Sequence, residues 1–334
     1  MKENRKQQLH QWLARQFSTD GINLSNMTGD AGFRRYFRFM VANQSYIAVD
    51  APTDKCNNNA FVDIAYRLQN AGINVPTIVA SDLARGFLCL SDLGDQLLTQ
   101  LLTPQSMEHY YQQAIELLPS IAQVSTEQLP LYDQTLIQTE LEIFPQWLLK
   151  EHLALQLTNE QQVQLQQCFD ILIDNALSQP NVFMHRDFHS RNIMQQAGKL
   201  AVIDFQDAVV GPISYDIVSL LRDCYIKWPR KQVKLLLDHY IDLMESAGLV
   251  EKYDRQLWQR WFDLMGLQRH IKASGIFARL FHRDKKPGYL ADIPLTLSYI
   301  VEVSADYPQL CFLHHLVKNE VLAKLNLQQL EAVS

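Results

Sequence analysis

A lone aspartate, Asp187, stands five residues before an asparagine in the run Met184-His185-Arg186-Asp187-Phe188-His189-Ser190-Arg191-Asn192. A second aspartate, Asp204, closes the next apolar run, Val202-Ile203-Asp204-Phe205-Gln206-Asp207. Phosphoryl transfer from ATP needs such a set. One carboxylate accepts the proton of an attacking hydroxyl, while an amide oxygen and another carboxylate hold the magnesium that bridges the phosphates. Asp and Asn are also ordinary turn formers. That accounts for any one of these residues, but not for the whole set followed by Asp204.

The elements that must position these groups are legible nearby. Residues 181–184 form a short apolar run, and 193–195 and 200–203 predict two strands joined by Gln196-Ala197-Gly198-Lys199, a hairpin signal. Asp187 and Asn192 then lie on the loop entering the hairpin and Asp204 where it ends, so each group comes from a rigid edge. Residues 34–41 and 45–50 predict a further hairpin, and 77–80 and 87–90 two more strands. Between them Phe61, Ile64, Ala65 and Leu68 recur at helical spacing over 60–70, with Gly72 placed as at a helix C-terminus. After Gly94 long helical patterns take over. The reading is an α+β chain in two lobes, a small β-rich, nucleotide-binding lobe over 1–92 and a larger, mostly helical, catalytic and substrate-binding lobe over 93–334.

Composition narrows the class. The chain has 334 residues and a net charge of −6, which argues against a general nucleic-acid binder. Cys56, Cys89, Cys168, Cys224 and Cys311 are scattered and never paired as C-x-x-C, a usage that suits free thiols in a reducing compartment. No apolar stretch approaches a membrane span, and the opening Met1-Lys2-Glu3-Asn4-Arg5 carries no secretory signature, so a cytoplasmic protein without membrane partners is expected. Leu9, Trp12, Leu13 and Phe17 predict an amphipathic opening helix, read as packed rather than lying on a membrane surface.

A nucleotide would lie between the lobes, with Ser91, Asp92 and Leu93 of the connecting segment as candidates for adenine recognition by position. Gly29 and Gly32, before the first long strand, could bring backbone N–H groups over the phosphates. A plain loop is the other reading of that turn.

The H-R-D-x-x-x-x-N run followed by D-F-x is close to the protein-kinase signature, and the residues resemble the aminoglycoside phosphotransferase and choline kinase superfamily, a protein-kinase-like fold acting on small molecules. The run from Ile203-Asp204-Phe205-Gln206-Asp207 through Gly211-Pro212-Ile213-Ser214-Tyr215-Asp216 to Arg222-Asp223 is similar to bacterial kinases of cell-wall recycling that phosphorylate the anomeric hydroxyl of N-acetylmuramate and N-acetylglucosamine. Asp30-Ala31-Gly32-Phe33-Arg34-Arg35-Tyr36-Phe37-Arg38 and Gly266-Leu267-Gln268-Arg269-His270-Ile271-Lys272 resemble the same group. The resemblance implies Asp187 as catalytic base, Asn192 and Asp204 as Mg²⁺ ligands, and ATP as co-substrate. It leaves His185 to brace the loop, and Asp216 to accept backbone hydrogen bonds at the start of a helix from Tyr215.

One departure stands out. Protein kinases carry a strand lysine that meets the phosphates, whereas Tyr46-Ile47-Ala48-Val49-Asp50 has an acid where that lysine is expected, and no Glu lies within 60–70. Arg34, Arg35 and Arg38 are the local cations. Strand alternation puts Arg34 and Arg38 on one face and Arg35 on the other; Arg35 or Arg38 is expected to serve the nucleotide.

For the acceptor, residues 258–281 predict one helix with Arg269, Lys272 and Arg279 along one side, a stripe suited to an anionic sugar or simply to solvent. Gly266 and Gly275 within it each cost about 1 kcal/mol relative to Ala and point to a close neighbour. Glu142 and Trp147, with Glu140 and Phe144, are a second candidate set for a sugar ring, which core packing explains equally well for the aromatics. The sequence therefore predicts an ATP- and Mg²⁺-dependent kinase of an amino sugar. An aminoglycoside or amino-alcohol phosphotransferase and a non-catalytic nucleotide-binding regulator are the alternatives.

Overall fold

Alternating and helical apolar periods build two units. The computed structural model describes residues 2–27 and 32–331; Gly29 lies outside the described residues. Among these, the strands are β1 (Ser25–Asn26), β2 (Arg35–Val41), β3 (Gln44–Asp50), β4 (Ile78–Asp82), β5 (Phe87–Ser91), β6 (Asn181–Met184), β7 (Ile193–Gln196), β8 (Lys199–Val202) and β9 (Val209–Pro212). The helices are α1 (Lys2–Phe17), α2 (Asn58–Asn70), α3 (Met107–Ile115), α4 (Leu118–Ala122), α5 (Gln134–Leu141), α6 (Asn159–Leu177), α7 (Tyr215–Leu221), α8 (Arg230–Ser246), α9 (Arg255–His282), α10 (Ile293–Ser304), α11 (Cys311–His315) and α12 (Leu322–Glu331). No helix among the described residues is long and apolar enough to cross a membrane. The chain divides into two compact units, Met1–Ser125 with Ser190–Ala208, and Thr126–His189 with Val209–Ser334.

In the first unit an antiparallel sheet has the order β1-β2-β3-β5-β4. Alternate residues Phe37 and Phe39 of β2, Ala48 of β3 and Phe87 and Cys89 of β5 make one apolar face, and Leu9, Trp12 and Leu13 of α1 cover it. The opening helix is thus a core element. The β2–β3 turn has Ala42 and Asn43 at φ 47° and 64°, the paired left-handed residues of a two-residue hairpin. Helix α2 starts where the Asn57 side chain accepts the Ala60 N–H. It stops at Gly72, whose φ of 79° few other residues would adopt.

The second unit is organised by α9, whose 28 residues are buried on nearly every side, as Trp258, Phe262, Met265, Leu267, His270 and Ile271 show. It packs against α5, α6, α7, α10 and the π-helical segment Phe144–His152. A Cβ on Gly275 would lie 2.6 Å from the Ile143 carbonyl, so the glycine does allow a close backbone approach. At Gly266 a Cβ would meet only the Val218 side chain at 3.8 Å, an ordinary contact, and there the expected close neighbour is missing. Strands β6 and β9 pair antiparallel, Asn181 opposite Pro212 and Met184 opposite Val209, which ends β6 at the start of the His185–His189 loop.

Candidate active site

The loop after β6 is held from beneath by Asp216. Its carboxylate accepts the N–H groups of His185 at 2.7 Å and Arg186 at 3.0 Å. These are loop bonds rather than the helix-start bonds expected of it. They fix Arg186 at φ 75°, a region a bulky residue adopts only when its surroundings enforce it. Burial pushes the Asp216 carboxyl up to about 7 against the opposing effect of those two N–H groups. His185 is fully buried, accepts the Asp187 N–H on Nδ1 at 3.3 Å and lies edge-on to Phe188. Both residues shape the turn that presents Asp187.

Asp187 opens into a cavity of about 120 Å³ shared with His189, Tyr215, Asp223, Tyr225, Arg269, Lys272 and Phe277, all in the second unit. Burial alone would raise the Asp187 carboxyl; Lys272, His189, Arg269 and Arg186 outweigh it and hold the pKa below the ordinary value. The carboxylate is therefore ionised at neutral pH and able to accept a proton. Beside it Arg269 lies over the Tyr215 ring at 5.1 Å, and its Nε and Nη1 are buried without a hydrogen-bond partner. Lys272 Nζ sits 2.6 Å from Glu140 Oε1 and 3.3 Å from the Tyr215 hydroxyl. Arg186 reaches the same Glu140 oxygen at 2.5 Å. Oε2 of Glu140 accepts the Tyr132 hydroxyl at 2.5 Å and Gln268 Nε2 at 3.2 Å. Burial opposes ionisation of Glu140, but Lys272 and Arg186 outweigh it and lower the pKa.

Of the expected acceptor residues, then, Arg269 and Lys272 join Asp187. Arg279 does not line this cavity; partial burial and the Arg283 charge lower its pKa. Glu142 is exposed and lines a separate cavity of about 710 Å³ with Gln146 and Lys150. Trp147 is half-buried and lines neither. By sequence Glu140 belongs only to the candidate sugar platform; its bonds to Arg186 and Lys272 span 46 and 132 residues, so no local pattern announces them.

In the first unit β7 and β8 form the expected hairpin, closed by Ala197 and Gly198 at φ 49° and 81°. The backbone N–H of Ile203 donates to the Asn192 carbonyl at 3.0 Å, which sets Asn192 and Asp204 side by side at the open end. Asn192 Nδ2 lies 3.4 Å from Asp204 Oδ2 and Gln206 Nε2 2.9 Å from Oδ1. Asp204 has φ 64°, a left-handed conformation that Asp tolerates better than most residues. One carboxylate and one amide oxygen fit Mg²⁺, which takes oxygen ligands, keeps waters and shares its shell with phosphates. Among the described residues no group of three His, Cys, Asp or Glu could hold a metal.

The nucleotide candidates are mostly spoken for. The Asp92 carboxylate takes Arg38, the Ser45 hydroxyl at 2.5 Å and the Gly94 N–H at 2.9 Å, and its carbonyl accepts Gln196 Nε2 at 3.0 Å. The Ser91 hydroxyl accepts the Thr77 N–H at 2.8 Å. Leu93 joins Met194 and Ala201, with Leu97 and Ile203 against them, in an apolar cluster. Arg38 also pairs with Asp95 at 2.8 Å. Arg35 is turned to the α1 face, bound to Asp50, which holds Arg5 of α1 on its other oxygen, each at 2.5 Å. The acid in the lysine's place is thus a buried anchor for α1, cross-strand from Arg35 on the Ala48 face. Gly32 is exposed.

The fold is a protein-kinase-like α+β one, and its family and relatives make the chain a small-molecule kinase. Among solved structures the chain is similar to a choline kinase of Streptococcus pneumoniae, with TM-score 0.61 and 14% identity over 87% of this chain and 98% of that one. It is also similar to the ADP-bound aminoglycoside phosphotransferase APH(2'')-Ib, with TM-score 0.59 and 15% identity over 89% and 98%. The chain belongs to the phosphotransferase enzyme family, whose sequence pattern matches residues 24–286. Its relatives include proteins named N-acetylmuramate/N-acetylglucosamine kinase. That of Pseudomonas putida is 39% identical, covering 94% of this chain and 96% of the relative. That of Neisseria meningitidis is 37% identical, covering 94% and 95%.

Proposed function

We propose that this enzyme transfers the γ-phosphoryl group of ATP to the anomeric hydroxyl of N-acetylmuramate or N-acetylglucosamine, giving the sugar 1-phosphate and ADP, in cytosolic recycling of cell-wall sugars. The observation that carries the acceptor reading is the buried, incompletely bonded Arg269 in the Asp187 cavity. A guanidinium with open N–H groups suits a carboxylate such as the lactyl group of N-acetylmuramate and disfavours a polycation such as an aminoglycoside. The names of the relatives support the same acceptor.

In this reading Asp187 accepts the proton of the C1 hydroxyl as its oxygen bonds to the γ-phosphorus. The bond between that phosphorus and the ADP oxygen breaks, ADP leaves with the electron pair, and Asp187 later gives its proton to water. Because its pKa is low, the base takes the proton late, as a loose phosphoryl-transfer transition state requires. Lys272 and Arg186 are drawn toward Glu140, which keeps both cations beside Asp187 without making either its sole ion-pair partner. Asn192 and Asp204 would hold Mg²⁺, which neutralises phosphate charge when bound. Tyr225 and Phe277 offer apolar walls to the sugar ring.

ADP release measured against a panel of sugars and cationic acceptors tests the proposal. It should appear with either N-acetyl sugar and require divalent metal, with Asn192→Ala needing more metal for half-maximal rate. Turnover with aminoglycosides and none with either sugar contradicts it.

A further inference from the structure

With the strand lysine missing, a triphosphate still needs a cation in the first unit, and the geometry points to Arg34 as the residue that binds the β- and γ-phosphates. This rests on the kinase reading above and adds a residue to it.

Arg35 and Arg38 of β2 are already held in ion pairs. Arg35 spends its charge on Asp50 on the α1 face, and Arg38 on Asp92 and Asp95. Arg34 directly precedes β2 and lies against α2 and its N-cap. No carboxylate among the described residues lies within 4 Å of its guanidinium. Its hydrogen bond is a long one of 3.4 Å to the Asn57 carbonyl, and its Nε is buried without a partner.

Its surroundings lead to the proposed metal carboxylate. The guanidinium lies 5.4 Å above the Phe61 ring, and Phe61 packs at 5.1 Å against Phe205, the residue after Asp204. Arg34 and Asp204 also act on the same Tyr36 hydroxyl with opposite sign. Asn57 is the N-cap of the 13-residue α2, so the guanidinium stands beside the positive end of that helix. A cation propped on an aromatic ring, short of hydrogen-bond acceptors and near both a metal carboxylate and a helix N-terminus, is placed to take phosphate oxygens bidentately.

The test is calorimetric binding of ATP, ADP and AMP to the full chain with Mg²⁺ and no acceptor. Arg34→Gln should weaken ATP roughly ten- to a hundredfold, the worth of a charge-assisted hydrogen bond. ADP should be weakened less and AMP not at all, while Arg34→Lys should recover part of the loss. Unchanged ATP affinity in Arg34→Gln, or an equal loss for AMP, overturns the assignment. So does a loss confined to Lys55→Gln, the nearby exposed alternative. A wild-type chain that fails to bind ATP removes the kinase reading itself; ATP binding with an indifferent Arg34→Gln removes Arg34 alone.

Discussion

Lys272 Nζ and the Glu140 carboxylate meet at 2.6 Å in the interior of the second unit, and Arg186 shares the same oxygen. Two cations on one buried acid leave net positive charge next to Asp187, which lowers the pKa of that base against the effect of burial. Replacing Glu140 with Gln should release both cations toward Asp187. Turnover is expected to fall at least tenfold, while affinity for ATP is kept. Loss of one partner from a buried charge cluster should also cost about 3–5 kcal/mol of stability. Unaltered turnover and an unaltered unfolding midpoint in Glu140→Gln would contradict this role.

Asp187→Asn removes the proton acceptor but preserves the shape of the loop, since the His185 and Asp216 contacts involve the backbone. Turnover should drop roughly 10²–10⁴-fold, the usual worth of a positioned general base, with nucleotide affinity retained. Single-turnover measurements at saturating ATP separate the two effects, and near-normal turnover rules out Asp187 as the base.

Arg269 should discriminate between the two sugars. Arg269→Met is expected to raise the Michaelis constant for N-acetylmuramate roughly ten- to a hundredfold and that for neutral N-acetylglucosamine far less. An equal effect on both would make Arg269 a packing residue on Tyr215 and not a carboxylate ligand.

His270, one position along α9, governs acid stability instead. Burial first, then the charges of Arg269, Arg222 and Lys227, push its pKa down from 6.5 to about 3, against the Arg222 carbonyl that accepts its Nε2–H at 2.9 Å. The folded state thus refuses a proton that the unfolded chain takes up below about pH 6.5. The His270 contribution to stability should fall as pH drops from there toward 3, by up to about 1.4 kcal/mol per unit, against the opposite contribution of Asp216, whose raised pKa lets the folded state take up a proton below about pH 7. In His270→Phe, which retains a ring against Tyr299, the pH slope of stability from urea unfolding should differ from that of the wild type by up to one proton, in the direction of less loss toward acid. An identical slope would place the acid sensitivity elsewhere.

The sequence was most legible where spacing is local. The Asp187–Asn192–Asp204 series, its hairpin, the β2–β3 hairpin and the amphipathic α1 and α2 all follow from periods and turns within about twenty residues. Contacts set by tertiary packing were not legible in the same way. Asp50 reads as a misplaced lysine until its register with Arg35 and its bond to Arg5 reveal a structural anchor. Asp216 lies near the start of α7 and so looked like a helix-start acceptor, yet its bonds reach back to residues 185 and 186. Strand β9, Val-Val-Gly-Pro, was too short and too close to a proline to announce itself. Of the stripe on α9, Arg269 and Lys272 reach the Asp187 cavity but Arg279 does not, because spacing gives a face and not where along it the neighbouring loop arrives.

The central claim is that the acceptor oxygen is the anomeric one, and phosphorus and carbon NMR of the product made from N-acetylglucosamine labelled with carbon-13 at C1 measures it directly. A doublet at C1 from coupling to phosphorus, loss of the free reducing end, and one ADP per sugar phosphate are expected, formed roughly 10²–10⁴-fold more slowly with Asp187→Asn. Phosphate on another carbon, a retained reducing end, or ADP formed without sugar phosphate would contradict it.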